Sequence, residues 1–214
     1  PSDITDRISK PEWHGDFMFI TSGQGIQAHD GKLLHTLVHL DHGCHVFGSD
    51  DHGRTWHLFG NPARPADESK IIELSDGRWM LNSRVNGAGF RYVHVSDDEG
   101  LTWVSRADSS LPDPGCNASI IRYKPVEGPG QADMILFSNA RSPDQRDNMS
   151  VSLSCDEGNT WELSKTLYPG SSAYSAMSVL KNGNIGLLYE RNDYSEIVFL
   201  SFPISWLSEQ QKTP

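Results

Sequence analysis

Cysteine is scarce: Cys44, Cys116 and Cys155 are the whole set in 214 residues, and no two are spaced as CxxC. A disulfide framework is excluded. Three small buried side chains, or one pair and a free thiol, are the readings left. Long apolar runs are missing as well. The longest reach five or six residues, far short of the roughly 20 that span a bilayer as a helix. Basic residues are few, 18 against 28 acidic ones, for a formal net charge of -10. A broad cationic surface for nucleic acid or an anionic membrane is therefore excluded, and any bound anion must be caught by a local Arg cluster. Sustained helical periodicity is also lacking. The start at Pro1, with no signal-peptide pattern, reads as a processed or cut terminus.

What the sequence does contain is short strands and turns. Asp30-Gly31, Asp76-Gly77 and Asn182-Gly183 each separate two strand-length apolar runs. Asp-Gly and Asn-Gly suit type I′ hairpins because both central residues need positive φ. A repeat then sets the fold class. Residues 49–56 read SDDHGRTW, 96–103 read SDDEGLTW and 154–161 read SCDEGNTW. The shared pattern S-x-D-x-G-x-T-W predicts a tight hairpin. Asp and the hydroxyls bond back to turn amides, Gly takes the left-handed position, and Trp anchors the turn. Each copy closes a similar unit, at about 23–60, 68–107 and 117–166. A fourth unit without the box spans 174–203. Four-stranded units of about 40–50 residues are β-propeller blades, so the expected class is an all-β propeller of antiparallel blades. The tail 202–211 (FPISWLSEQQ) is expected to form a short helix or to fray.

These boxes resemble those of the sialidase (neuraminidase) superfamily, and the resemblance extends along nearly the whole chain. Residues 68–84, ESKIIELSDGRWMLNSR, look like the segment that holds a catalytic Glu and, 16 positions on, a substrate-binding Arg. Phe137-Ser138-Asn139 with Arg146-Asp147-Asn148-Met149-Ser150-Val151 resembles the segment of the next Arg. Tyr174-Ser175-Ala176-Met177 with Leu187-Leu188-Tyr189-Glu190 resembles that of the nucleophilic Tyr. Gly23-Gln24-Gly25-Ile26 matches a Gly-rich segment of bacterial members, and residues 202–207 fit the usual ending. The family's first Arg, in an R-I-P motif, and its general-acid Asp have no counterpart here. Six blades of about 45–55 residues each need well over 214 residues. The resemblance thus implies the C-terminal four blades of a six-bladed enzyme, spanning 1–214.

The implied chemistry is coherent. Sialic acid carries a carboxylate on its anomeric carbon, so a carboxylate nucleophile would meet like charge; a Tyr avoids this. A phenol of pKa about 10 needs a base. The resemblance makes Tyr174 the nucleophile and Glu68 its base. Arg84 and Arg146 then bind the substrate carboxylate, a task for planar guanidinium groups. Glu190 holds a further Arg from behind. Arg141 competes with Arg146, and Tyr168 and Tyr189 with Tyr174; the surrounding residues favour Arg146 and Tyr174. The Asp-box residues are expected to be structural. The implied activity is retaining hydrolysis of terminal α-linked sialic acids, with no metal or organic cofactor. Sialylated glycoconjugates are the substrates, and an N-terminal part of the same propeller is the partner. The rivals are a trans-sialidase and a noncatalytic Asp-box propeller that binds glycans or proteins. A secreted or periplasmic bacterial protein is expected.

His35, His39, His42 and His45 lie beside Cys44 and invite a zinc site. His35 and His39 would share a strand face about 13 Å apart, too far for one ion unless the strand bends. His42 and His45 would sit near a turn. Polar strand positions facing water are the preferred reading.

Overall fold

The computed structural model describes residues 2–124 and 133–209. It divides into two compact units, 1–109 and 110–214.

The first unit opens with α1 (Thr5–Ile8) and a 3-10 turn (Pro11–Trp13), followed by two antiparallel sheets. One contains β1 (Met18–Ile20), β2 (Ile26–Gln27), β3 (Leu33–His39), β4 (Gly43–Ser49) and β5 (His57–Ala63), in the order β1-β3-β4-β5 with β2 beside β3. The other runs in chain order through β6 (Ser69–Glu73), β7 (Trp79–Ser83), β8 (Phe90–Ser96) and β9 (Val104–Pro112), the last crossing the division between the units. Ile8 and Trp13 cover Leu37 and Phe47 on the first sheet. A second cluster joins Leu34, Val46 and Phe59 to Ile71, Trp79 and Leu81.

The second unit is a run of six antiparallel strands: β10 (Ser119–Tyr123), β11 (Met134–Ala140), β12 (Asp147–Ser154), β13 (Leu163–Val179), β14 (Ile185–Arg191) and β15 (Glu196–Phe202). β13 serves both neighbours. Its first part pairs with β12, and 172–179 pairs with β14. Pro169 and Gly170 thus lie inside an extended stretch, where the ladder slips, rather than in a separate loop. α2 (Ser205–Ser208) closes the unit by burying Leu207. Lys165 Nζ bonds the Trp206 carbonyl at 2.6 Å. Of the tail, 210–211 lie outside the described residues, as do 125–132 of the third repeat unit.

The turns follow from their residues. Gly31, Gly77 and Gly183 close hairpins with φ of 93°, 88° and 80°. The three S-x-D-x-G-x-T-W turns share one bond pattern. In the first, Ser49 Oγ donates to Asp51 at 2.8 Å and accepts from the Gly53 N–H at 2.7 Å. Asp51 also takes the Thr55 N–H and hydroxyl, both at 2.8 Å. Asp98 with Thr102 and Asp156 with Thr160 repeat the arrangement. The residue before each Gly (His52, Glu99, Glu157) is left-handed too, so the turn asks for more than its Gly. Trp56, Trp103 and Trp161 end half-buried. Each still anchors its turn; Trp103, for example, bonds the Asn61 carbonyl at 2.8 Å. Gly60 is obligatory because a Cβ there would lie 2.1 Å from the Gly100 backbone.

All three cysteines are free. Cys44 and Cys116 are buried, whereas Cys155 is exposed, which corrects the expectation of three buried thiols. Burial pushes the Cys44 thiol up to about 12. Among the described residues no helix is long and apolar enough to cross a membrane.

Candidate active site

In the first unit the β6–β7 hairpin explains the 16-residue offset between Glu68 and Arg84. Ser69 pairs with Ser83, and the ladder continues one step beyond the strands, where Arg84 N–H donates to the Glu68 carbonyl at 3.1 Å. Glu68 and Arg84 are therefore directly opposed. Arg84 Nη1 donates to Glu68 Oε2 at 2.5 Å, and the Glu68 side chain is only 3% exposed. A residue that the sequence reasoning missed completes this group. Asp67 Oδ2 accepts from Arg84 Nε (3.1 Å) and Nη2 (2.9 Å) and from Asn86 Nδ2 (2.8 Å). Its Oδ1 accepts the Glu68 N–H at 2.7 Å. Two adjacent carboxylates thus share one guanidinium. The signal was the doublet Asp67-Glu68, read only for its second member.

Lys70 lies on the same strand, buried, with Nζ bonded to the Ser22 carbonyl. Burial lowers its pKa to about 8, against the pull of Glu68. Gly23, beside the Lys70 ammonium, has φ of 111°, which a residue with a side chain rarely adopts, and this gives the Gly-rich segment a backbone reason.

In the second unit a bulge aims Arg146. Asn148 is left-handed (φ 58°), and the β12–β13 register shifts between Asp147 and Met149. Bulges of this kind re-aim a neighbouring side chain. The Arg146 guanidinium carbon lies 5.8 Å from the centroid of the Tyr174 ring. Its Nη2 donates to the Gly115 carbonyl at 3.1 Å. Arg141 instead reaches the Ser110 carbonyl at 3.2 Å. Tyr174 is half-buried on β13, where the ladder with β14 skips between Ser172 and Ser175. Its N–H is taken by Glu190 Oε2 at 3.0 Å. Tyr189 is buried in the apolar core, and Tyr168 bonds Asn192 at 2.6 Å. The second unit thus brings together Arg146, Tyr174 and Glu190; the first brings together Glu68, Arg84 and Asp67.

A profile of the BNR repeat-like domain matches residues 7–187, most of the chain. The chain belongs to the sialidase superfamily. It is similar to a sialidase of Micromonospora viridifaciens, 41% identical over 96% of this chain and 33% of that protein. A Hadza microbial sialidase structure superposes at a TM-score of 0.86, with 30% identity over 95% of this chain and 41% of that one. The intramolecular trans-sialidase from Ruminococcus gnavus gives 0.77, with 25% identity over 91% and 46%. The fold is that of the sialidase β-propellers. The chain spans about a third of the length of the Micromonospora relative.

Within this sialidase-superfamily chain the histidines come together differently from either pairing weighed on the sequence. Asp16, His39 and His42 offer ligand atoms within 4.8 Å of one another. Metal-bound imidazoles normally donate their far N–H to an acceptor. Here the surroundings have the opposite polarity: the Asp41 N–H faces His39 Nδ1 at 3.3 Å, and Arg64 Nη2 faces His42 Nδ1 at 3.0 Å. His39 Nε2 is left to donate to Asp16 at 3.1 Å. The group is organised as a hydrogen-bond cluster packed around Trp13.

Proposed function

We propose that this chain is the C-terminal portion, about four blades, of the catalytic propeller of an exo-α-sialidase. In this reading terminal α-linked sialic acids of glycoproteins, glycolipids and oligosaccharides are the substrates. The observation that carries it is Arg146 beside Tyr174: a cation positioned for a carboxylate next to a phenol whose strand is locally irregular. Arg146 and Arg84 bind the substrate carboxylate. Glu68 takes the Tyr174 proton, and the phenolate oxygen attacks the anomeric carbon as the glycosidic bond breaks, giving a covalent Tyr-glycoside. Water then displaces Tyr174, and the configuration is retained. The Glu190 bond to the Tyr174 N–H supports a role in holding the nucleophile's backbone.

The general acid that protonates the leaving oxygen and the first Arg are assigned to an N-terminal part of the same propeller. Leu188, Ile197 and Phe199 are 45%, 70% and 58% exposed. They share one face of β14–β15 through the Leu188–Phe199 and Glu190–Ile197 pairs. Apolar patches of this kind mark contact surfaces, which supports that partner. A secreted or periplasmic location is part of the proposal. The likeness to an intramolecular trans-sialidase supports transfer in place of hydrolysis as an alternative, which product analysis on a fluorogenic sialoside decides. The test of the reading is Tyr174→Phe in the complete enzyme. Turnover should be lost, whereas a glycan-binding propeller without catalysis would show no turnover to lose and unchanged binding. Robust turnover by the isolated 214-residue chain would remove the need for the N-terminal part.

A further inference from the structure

Besides its bond to the Gly115 carbonyl, Arg146 makes a further contact that this chemistry does not use: Nη1 donates to the hydroxyl of Tyr194 at 2.9 Å. Tyr194 is 57% exposed, on the β14–β15 hairpin. Asn192, Asp193 and Tyr194 are three successive non-glycine residues in the left-handed region, with φ of 49°, 51° and 67°. Asn and Asp visit that region at modest cost; Tyr does not.

The turn is clamped from β13. The Asn192 N–H donates to the Ser171 carbonyl at 3.0 Å, and Asn192 Oδ1 accepts from Tyr168 Oη at 2.6 Å. Ser171 Oγ donates to Asp193 at 2.8 Å and accepts the Asp193 N–H at 3.1 Å. Backbone strain of this kind persists only where the surroundings over-determine it, and it clusters at functional sites. The clamp's output is the placement of one phenol hydroxyl on Arg146. Both residues line a pocket of about 280 Å³ with Gln145, Ser171, Arg191 and Asp193.

We infer that Tyr194 is a positioning residue that fixes the plane of the Arg146 guanidinium before the substrate carboxylate arrives. This rests on the reading of Arg146 as a carboxylate-binding group. Tyr194 holds one terminal nitrogen and Gly115 the other, so the plane cannot turn about the side-chain axis. Two of the five N–H donors are used, and the remaining three stay available to a carboxylate. Without the hydroxyl the guanidinium must be ordered by the substrate itself. That cost falls equally on the ground state and the transition state, so it appears in KM rather than in kcat.

The experiment uses the complete enzyme with Tyr194→Phe, which keeps the ring. KM for a fluorogenic sialoside should rise about fivefold, the value of one modest hydrogen bond, with kcat within about twofold. The second readout is binding of 2,3-didehydro sialic acid and of its methyl ester, which lacks the charge. Tyr194→Phe should weaken the acid about fivefold and leave the ester nearly unchanged. Equal weakening of acid and ester, or no weakening of either, overturns the inference. Arg146→Ala is the separate arm. If it leaves the acid-to-ester ratio intact, the reading of Arg146 itself fails, whatever Tyr194 does.

Discussion

Glu190 Oε2 accepts the backbone N–H of Tyr174 at 3.0 Å, at the step where the β13–β14 ladder skips from Ser172 to Ser175. A side chain there stands in for a strand partner. Glu190→Ala should leave that half-buried amide without this acceptor and destabilise the chain by about 1–3 kcal/mol, measured by urea unfolding. Glu190→Gln keeps an acceptor and should recover most of the loss.

Asp67 competes with Glu68 for Arg84. Asp67→Asn removes one of two carboxylates from a guanidinium that is 14% exposed. Glu68 remains as a partner, so the loss should be about 1–3 kcal/mol, less than for an orphaned buried charge. Urea midpoints of the variant and the parent chain check this. In the complete enzyme KM for a sialoside should change as well, because Glu68 then holds Arg84 without competition from Asp67.

The Asp-box turns make stability sensitive to acid. Hydrogen bonds from the Thr55 amide and hydroxyl hold the Asp51 carboxyl down to about 2, and Asp98 is lowered by the same bonds from Thr102. A depressed carboxyl contributes stability above its unfolded value, near 4, and loses it as pH falls through the folded value. Thermal midpoints should therefore drop between about pH 4 and pH 2. Asp51→Asn should lower the neutral-pH midpoint and flatten this limb; an unchanged acid limb would contradict the role given to the turn.

Histidine burial acts at milder pH. Burial, with Lys10 next in weight, lowers His45 to about 4, and burial does the same to His94. Between about pH 6.5 and 4 the unfolded chain binds the proton and the folded chain resists it. Stability should thus fall on acidification through that window, by at most roughly 3 kcal/mol per group. His45→Leu should reduce the slope between pH 7 and 5 in urea titrations.

The parts legible in the sequence are those written in local chemistry. The S-x-D-x-G-x-T-W turns and the Asp-Gly and Asn-Gly hairpins carry their geometry in the residues themselves. The offset from Glu68 to Arg84 is hairpin arithmetic, since two arms around Asp76-Gly77 oppose residues 16 apart. What escaped reading depends on distant partners. Tyr194 enters the left-handed region without a glycine because Ser171 and Tyr168 hold its turn. β13 runs through Pro169 and Gly170 because both of its neighbours pair with it. Asp16 joins His39 only because the segment after Trp13 folds back onto β3. The resemblance, not periodicity, singled out Arg146 over Arg141, and the bulge at Asn148 gives the physical difference between them.

The central claim is that Tyr174 is a nucleophile. The complete enzyme treated with 2,3-difluoro sialic acid, digested and analysed by mass spectrometry, tests it most directly. A sialyl adduct should form on Tyr174, within the β13 stretch 163–179, slowed by Glu68→Gln and absent in Tyr174→Phe. An adduct on another residue, or full sialoside turnover by Tyr174→Phe, would contradict it.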